Sequence, residues 1–588
     1  MLCGAREVFV TGLDTCALPG GFSCFCTTVC QLLCLAFRSR KPPGVRLRRE
    51  GLTALHPVVL VPGIVTGGLE LWEGRPCSEG LFRKRLWGGS FTEIFKRPLC
   101  WLEHLTLHNQ TGLDHQAFVS EQFQGWLRLT ILLLEYRGFK ITSLIISSAI
   151  AFHNLNIHSA LLLRTRCCSI NDLEASHSFL LFLNSYTIRD QALSRLKSKI
   201  ELMFVTNGNK KVVVVPHSMG VIYFFHFLKW VESPPPMGGG GGTGWCAKHI
   251  KAIMNIGPAF LGVPKAVSNI FSAEAKDVAF VRSMDPGVLD SEILGLQTLS
   301  MSCGNDTNSD GKMEFQIKES VRYGRIISFG KATSQLPSSQ LPNLGSKGWH
   351  PENCRNKAYT ARTFLDLLRF VAPKMMQRAE AQFSHGIADN LDDPKYAHYK
   401  YWSNPLETKL PDAPDMEIYC LYGVGLPTER SYVYKLSPTD RCKSIPFRID
   451  SSAEGSDGGC LKGGVYFVDG DESVPVLSAG FMCAKGWKGR TRFNPSGIAT
   501  YVREYRHKPP ASLFEGRGVE SGAHVDIMGN VALIEDVLRV AAGATGAEMG
   551  GDRIYSDIMR MSDRINLRLR LLVLMRPALA CEKRHRWE

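Results

Sequence analysis

Residues 212–232, VVVVPHSMGVIYFFHFLKWVE, place a run of four valines directly before Pro216, His217 and Ser218, and an apolar segment follows at once. The valine run predicts a buried strand, and the longer apolar segment predicts a buried helix. A serine on a tight strand-to-helix turn is the arrangement of a nucleophile elbow. Gly220 supplies the second glycine of that pattern, whereas Pro216 replaces the first. On these five residues alone, a catalytic serine and an ordinary helix-capping serine are equally good interpretations.

Candidate partners for the serine follow it in the chain order acid, then histidine, as is usual on such a sheet. The segment VDGDESVP offers Asp469 and Asp471 after a predicted strand, and SGAHVDIMGN offers His524 before an apolar helix. Each could instead be a plain turn or a helix-entry residue. Three candidates in the required order favour a Ser–His–acid triad, in which histidine takes the serine proton and the carboxylate orients the histidine.

An oxyanion hole needs two backbone donors. The first is expected from the residue after the nucleophile, which is Met219. The second is expected from the loop after the early strand in HPVVLVPGIVTGG, where Ile64 is the candidate N–H. The alternative for Ile64 is a packing role only.

Strand-like and helix-like segments alternate through most of the chain. RDQALSRLKSKIELM (189–203) predicts an amphipathic helix, and SPPPMGGGGGTG (233–244) predicts a loop. The segments 416–436 and 463–483 each predict a strand with a loop at its C-terminal end, and 303–356 reads as an irregular insertion. This alternation predicts an α/β fold with a mostly parallel sheet covered on both faces.

Residues 20–37 form an apolar stretch long enough to span a bilayer, and no small-residue cleavage site follows it. We therefore expect an uncleaved N-terminal membrane anchor. The basic residues on its C-terminal side favour a cytoplasmic body by the positive-inside rule. The net charge of +14 comes without zinc-finger spacing, RNA-binding aromatics or a long basic block in the body, so nucleic-acid binding is not expected. No metal or other cofactor is expected either.

Several longer motifs resemble a known family. They are HPVVLVPGIVTGGLELWEG, RPLCWLEH, PHSMGV, NIGPAFLGVPKA, YWSNPLETKLPDAP, YGVGLPTER, VDGDESVPVLSAGFMCAKGW and SGAHVDIMGN. Together they are similar to the lecithin–cholesterol acyltransferase family, and within it to the plant phospholipid:diacylglycerol acyltransferases. The resemblance covers roughly residues 43–114, 187–300 and 316–567.

The resemblance implies an α/β-hydrolase fold with cap and lid insertions. It implies transfer of an acyl group, independent of acyl-CoA, from the sn-2 position of a phospholipid to diacylglycerol, which yields triacylglycerol and lysophospholipid. Carried over by motif, Ser218 is the nucleophile, Asp471 the acid and His524 the base. A lipase or phospholipase on the same triad is the alternative, because the triad does not distinguish water from diacylglycerol as the acceptor.

The resemblance also implies a lid over residues 77–100, closed by a Cys77–Cys100 disulfide, with Leu81, Phe82 and Trp87 at the lipid interface. A second disulfide would join Cys420 to Cys483. Family members carry one N-terminal anchor and hold the catalytic domain in the lumen of the endoplasmic reticulum. That placement suits the sequons at Asn109 and Asn305 and opposes the charge flanks of the anchor.

Three regions depart from the family. Residues 115–186 are apolar without a clean period, 301–356 is short, and the tail after about 567 is unlike family members. The expected organisation is a tail with its anchor (1–42), an acyltransferase domain (43–567) with an atypical insertion at 115–186, and an atypical tail (568–588). An inactive product of an aberrant gene model, whose sheet lacks a core element, is the third interpretation of the chain.

Overall fold

The computed structural model describes residues 43–63, 69–70, 76–81, 85–87, 131–136, 139–144, 186–272, 325–329, 358–360, 363–371, 373–436, 447–454, 460–510, 518–565, 567 and 569. The chain divides into two units, 1–52 and 53–588. In the first unit, α1 (Pro43–Arg49) is the helix described. The predicted anchor at 20–37 lies outside the described residues. Among those described, none of the helices is both long enough and apolar enough to cross a bilayer.

The strands form a central sheet, a second sheet and two small antiparallel pairs. They are β1 (Val58–Val61), β2 (Leu69–Glu70), β3 (Arg85–Trp87), β4 (Ile131–Tyr136), β5 (Phe139–Leu144), β6 (Val212–Pro216), β7 (Ile250–Ile256), β8 (Arg325–Phe329), β9 (Ala358–Thr360), β10 (Glu417–Val424), β11 (Leu426–Leu436), β12 (Phe447–Ile449), β13 (Leu461–Lys462), β14 (Val465–Gly470) and β15 (Ala499–Arg506).

The helices of the second unit lie between and after these strands. They are α2 (Tyr186–Thr206), α3 (Met219–Glu232), α4 (Trp245–His249), α5 (Pro264–Ser272), α6 (Phe364–Val371), α7 (Pro373–Gln382), α8 (Val476–Phe481), α9 (Val531–Ala541) and α10 (Ile558–Arg564). Short 3₁₀ turns at Pro76–Ser78, Pro394–Ala397, Tyr399–Tyr401 and Asp526–Gly529, and a π-helical turn at Met482–Gly486, complete the described helical structure.

The central sheet has the order β1-β6-β7-β10-β15, and each neighbouring pair is parallel. The valine strand β6 therefore lies inside the sheet, and all of its residues are buried. Strands buried on both faces lack an alternating polar pattern, which is why they read as continuous apolar runs. The predicted mostly parallel α/β sheet is confirmed.

Successive valines of β6 face opposite layers, as the two-residue period of a strand requires. Val212 and Val214 belong to the core cluster that includes residues of α2 and α3, while Val213 and Val215 belong to a cluster with Leu533 of α9. Burial of each large apolar side chain contributes roughly 1.5–3 kcal/mol. Both faces of the sheet are thus covered, which holds the ends of its strands in place.

The second sheet has the order β13-β14-β11-β8-β9, and β12 also pairs with β11. Strand β11 runs antiparallel to β14 and β12 and parallel to β8. Two predictions need correction here. The region 303–356, predicted to be irregular, contains β8.

The segment 416–436, predicted as one strand with a loop, contains two strands, because Gly425 at φ 94° redirects the chain after β10. Gly425 and Pro427 signal a loop locally, but pairing of Leu426 with Gly470 makes their surroundings a strand.

The atypical regions are described in part. Within 115–186, β4 and β5 form an antiparallel pair, and α2 begins at its last residue; the remainder lies outside the described residues. In the tail, the Leu569 carbonyl accepts a hydrogen bond of 3.0 Å from Arg492 N–H, and the Leu569 side chain packs against the main core cluster. Residues 570–588 lie outside the described residues.

Candidate active site

Ser218 lies on a strained turn between β6 and α3. Its backbone has φ 56° and ψ −125°, a region that residues with a Cβ rarely adopt and that costs of order 1–3 kcal/mol. The neighbouring strands hold the turn in place, because Ser218 N–H donates to Ile256 O at 2.8 Å and His217 N–H donates to Val61 O at 2.9 Å. The strain lifts the serine at the carboxyl end of the parallel sheet, where α3 begins.

The small residues of this turn are required by close backbone approaches. A Cβ on Gly220 would lie 2.5 Å from Pro62 O, and a Cβ on Gly63 would lie 2.5 Å from the Ser218 Cβ. Pro216 is accommodated because it falls between the last register pair of β6 with β7, Val214–Ile253, and the bridge of His217 with Ile256. A residue without an N–H can stand at such a position. The departure from the glycine pattern therefore leaves the elbow intact.

The three triad candidates, 53 to 306 residues apart in sequence, meet at one point. His524 Nε2 lies 2.7 Å from Ser218 Oγ, and His524 Nδ1 lies 2.7 Å from Asp471 Oδ2. Asp471 is 0% exposed, His524 is nearly buried and Ser218 is half-buried. This is the chain of hydrogen bonds by which a base activates a serine while a carboxylate fixes the imidazole.

Asp471, and not Asp469, is the carboxylate that reaches the histidine. Asp471 Oδ1 accepts hydrogen bonds from the N–H groups of Ser473 (3.0 Å) and Val474 (2.6 Å), which leaves Oδ2 for His524. Asp469 lies on β14, and its Oδ1 accepts from Gly425 N–H at 2.6 Å. Burial raises the pKa of Asp469, while the Gly425 hydrogen bond acts in the opposite direction. Asp469 thus fastens the turn between β10 and β11.

The residue that follows Asp471 is also strained. Glu472 has φ 79°, and its N–H donates to Thr428 Oγ1 of β11 at 2.9 Å. Thr428 is fully buried and donates in turn to Leu426 O at 3.1 Å. The second sheet therefore sets the direction in which the chain leaves β14, and with it the position of Asp471.

Of the two predicted oxyanion donors, the structure describes Met219 and not Ile64. Met219 is the first residue of α3, so its N–H has no intrahelical acceptor and lies next to the nucleophile. Ile64 lies outside the described residues. Its neighbour Gly63, which is described, passes directly against the Ser218 Cβ.

Two glycines that the sequence analysis did not single out allow the histidine loop to close on the serine. Gly257, at φ 53° after β7, leaves space where a Cβ would lie 2.9 Å from the His524 ring. Gly423 in β10 faces Gly522, whose carbonyl oxygen would be 1.7 Å from an added Cβ. A glycine inside a strand signals such a backbone approach, so Gly423 in YGVG carried a usable signal.

The structure describes only part of the predicted lid and of the predicted disulfides. Cys77 is disulfide-bonded, and Cys100 and Phe82 lie outside the described residues. Leu81 is 4% exposed, so its side chain is packed away from solvent in this structure, and its contact with lipid stays a prediction. Trp87 belongs to β3, which pairs with β2, and its side chain is outside the description. Cys420 and Cys483 form a disulfide that joins β10 to the turn after α8.

The profile of the family described as lecithin:cholesterol acyltransferase matches residues 184–531, which include Ser218, Asp471 and His524. The chain belongs to the lecithin:cholesterol acyltransferase family. Its relatives include the putative phospholipid:diacylglycerol acyltransferase 2 of Arabidopsis thaliana, 56% identical over 90% of this chain and 88% of the relative. Phospholipid:diacylglycerol acyltransferase 1 of the same plant is 51% identical over 90% and 86%. The phospholipid:diacylglycerol acyltransferase of Schizosaccharomyces pombe is 32% identical over 89% and 78%.

Membership of the lecithin:cholesterol acyltransferase family confirms the resemblance inferred from the motifs.

The sequence analysis did not recognise the histidine before the nucleophile as a site residue. His217 is buried, its Nε2 lies 2.8 Å from His524 O, and its ring centroid lies 5.0 Å from that of His524. Burial, and next the electrostatic interaction with His524, lowers the pKa of His217 to about 3. His217 is therefore neutral at ordinary pH.

Proposed function

We propose that this chain transfers a fatty acyl group from the sn-2 position of a phospholipid to diacylglycerol, without acyl-CoA, and forms triacylglycerol and lysophospholipid. The observation that carries the proposal is the contact of Ser218, His524 and Asp471 at the carboxyl end of the parallel sheet. The high identity to enzymes named phospholipid:diacylglycerol acyltransferase supports the choice of donor and acceptor.

In the first half-reaction, His524 Nε2 accepts the proton of Ser218 Oγ as the oxygen attacks the ester carbonyl of the phospholipid. The Met219 N–H, with Ile64 N–H as the second donor, stabilises the negative oxygen of the tetrahedral intermediate. The bond to the glycerol oxygen then breaks, and His524 returns the proton to that oxygen. Lysophospholipid leaves, and the acyl group remains on Ser218 as an ester.

In the second half-reaction, the hydroxyl of diacylglycerol gives its proton to His524 Nε2 and attacks the acyl-serine carbonyl. Collapse of the second tetrahedral intermediate releases triacylglycerol and returns the proton to Ser218 Oγ. Throughout, Asp471 holds the imidazole by Nδ1 and stabilises its charged form without taking the proton. Asp471 suits this role because its other oxygen is already occupied by two N–H groups.

The test uses the full chain in proteoliposomes that contain phosphatidylcholine labelled in the sn-2 acyl group, with and without diacylglycerol. We expect labelled triacylglycerol and an equal amount of lysophosphatidylcholine, both dependent on diacylglycerol and absent from a Ser218→Ala variant. Label that appears in free fatty acid, whether or not diacylglycerol is present, would instead establish a phospholipase. A cooperative melt of the same preparation excludes an inactive, unfolded product.

We further propose an α/β-hydrolase fold with cap and lid insertions, anchored by residues 20–37 in the membrane of the endoplasmic reticulum with the catalytic domain in the lumen. The Cys420–Cys483 disulfide and the disulfide-bonded states of Cys77 and Cys460 support an oxidising compartment. Endoglycosidase treatment of microsomes tests this placement at Asn109 and Asn305. A mobility shift that is lost in Asn→Gln variants is expected, and a chain digested by protease added outside intact microsomes would contradict it.

A further inference from the structure

His217 joins the nucleophile turn to the backbone of the base. Its ring is 2% exposed and lies between Ser218, to which it is bonded in the chain, and His524, which is 307 residues away. The 2.8 Å contact involves the His524 carbonyl oxygen and not its ring. The proposed acyl transfer does not use this contact as a chemical step.

The direction of the hydrogen bond follows from the chemistry of the two partners. A carbonyl oxygen only accepts, so His217 Nε2 must carry the proton. Neutral imidazole has one N–H, and the donor is therefore committed to His524 O. Nδ1 of the same ring lies on the side of Gly63, where an added Cβ would come within 3.2 Å of it. The ring thus fills the space between the histidine loop and the loop after β1.

Four hydrogen bonds hold His524, two to Asp471 and two to the nucleophile turn. Asp471 accepts from His524 N–H through its backbone carbonyl at 2.8 Å and contacts Nδ1 through its carboxylate. The nucleophile turn mirrors this arrangement, because Ser218 Oγ contacts Nε2 and His217 Nε2–H donates to the His524 carbonyl. Both the peptide and the ring of the base are therefore tied to the acid and to the nucleophile.

This attachment matters because the base does not lie in a regular element. His524 precedes the 3₁₀ turn Asp526–Gly529, in the connection between β15 and α9. A side chain on such a connection takes its position from its hydrogen bonds, and a displacement of 1 Å at a reacting group can lower the rate by about 100-fold.

We propose that His217 is a positioning residue for the base, and that its Nε2–H to His524 C=O bond sets the distance from His524 Nε2 to Ser218 Oγ. The contribution is to kcat and not to lipid binding, since His217 is enclosed and touches the base and not the surface. It acts equally in both half-reactions, because the same histidine takes the proton each time.

A matched pair of substitutions separates the hydrogen bond from packing. His217→Gln keeps an N–H donor near the position of Nε2 and loses the ring, whereas His217→Phe keeps a ring and loses the donor. We expect the Gln variant to stay within about 3-fold of the wild-type kcat, and the Phe variant to lose about 10- to 100-fold with KM unchanged. The rate at which a fluorophosphonate labels Ser218 should fall in parallel, because it also requires the base.

The melting temperature of each variant is measured beside its kinetics, in the full chain and the same proteoliposomes. A purely structural role would lower kcat in step with melting temperature in both variants, and that outcome would overturn the proposal. A Phe variant with wild-type kcat would overturn it as well. If His217→Phe does not fold, His217→Met replaces it as the donor-free variant, and a Gln variant that folds but is as slow as Met refutes the assignment.

Discussion

The proposed nucleophile and the proposed acid lie at the ends of strands in two sheets of different character. Ser218 follows β6 in the central sheet, where the strands are parallel and the valine strand is buried along its whole length. Asp471 follows β14 in the second sheet, which is largely antiparallel and in which Tyr466 is 39% exposed. The candidate active site is thus supported by a buried strand of the central sheet on one side and by a partly solvent-exposed strand of the second sheet on the other.

The difference shows two ways to hold a catalytic group. On the central sheet, burial and two flanking strands hold a locally strained turn, and the strain is encoded in five consecutive residues. On the second sheet, individual hydrogen bonds hold the acid, from Ser473, Val474 and Glu472 to acceptors on Asp471 and Thr428. Burial of a strand is visible in the sequence, whereas the single bond from Glu472 to Thr428, 44 residues away, is not.

The largest effect is expected at the central sheet. Ser218→Ala removes the atom that carries the acyl group, so acyl transfer should fall by roughly 10⁴- to 10⁶-fold. Label transfer into triacylglycerol is the measurement. Ser451→Ala, at an exposed serine of the turn after β12, is the control and should leave the rate unchanged. Substantial transfer by the Ser218 variant would show that the strained turn is not the nucleophile.

The matching change on the second sheet compares its two aspartates. Asp471→Asn should lower kcat on the order of 10⁴-fold, because the amide cannot hold the required tautomer of His524. Asp469→Asn should cost far less, since that carboxylate fastens Gly425 and does not contact the base. A slow Asp469 variant beside a normal Asp471 variant would reverse the assignment of the acid.

A smaller loss is expected where the histidine loop meets the central sheet. In Gly423→Ala the new Cβ would overlap the Gly522 carbonyl, so the loop that carries His524 must shift. We expect kcat to fall about 100-fold, with a lower melting temperature. Gly529→Ala in the same loop is the matched control, because nothing lies within 4 Å of its added Cβ. Equal behaviour of the two variants would refute close approach as the cause.

A modest effect is expected from the bond that directs the acid. Thr428→Val keeps the shape of the side chain but removes the acceptor of Glu472 N–H, which should cost about 1–3 kcal/mol in the free energy of unfolding. Thr428→Ser keeps the oxygen and should be nearly neutral. Denaturant melts measure the difference. A Val variant as stable as wild type would show that the second sheet holds Asp471 by other means.

The last effect appears only at acid pH. The pKa of His217 falls from 6.5 to about 3 on folding because of burial first and the electrostatic interaction with His524 second. Its contribution to stability is therefore complete above pH 6.5 and is lost as the pH falls from 6.5 to about 3. Unfolding of wild type in that window should take up about one proton more than unfolding of His217→Gln. Identical pH dependence of their unfolding free energies would contradict a buried, neutral His217.

Prediction from sequence succeeded where the signal was local. The valine strand, the helix at 189–203 and the Gly/Pro loop at 233–244 need only a few neighbouring residues for their identification, and the structure has all three. It failed at β11, where Gly425 and Pro427 read as a loop. Pairing with β14 and β8, which come from distant parts of the chain, decides that segment.

The sequence by itself determined the elbow and the order of its partners, because a strained serine needs a buried strand before it, a helix after it and a glycine two residues on. Spacing left Asp469 and Asp471 equivalent and the family motif favoured Asp471, but only the tertiary structure showed which carboxylate contacts the base, buried Leu81 and joined His217 to the carbonyl of His524. Two aspartates only two residues apart have the same local signals, so their roles depend on which carboxylate the pairing of β14 with β11 directs toward the base. Hydrogen bonds across 53 to 307 residues are set by how the strands assemble, and no short stretch of sequence encodes them.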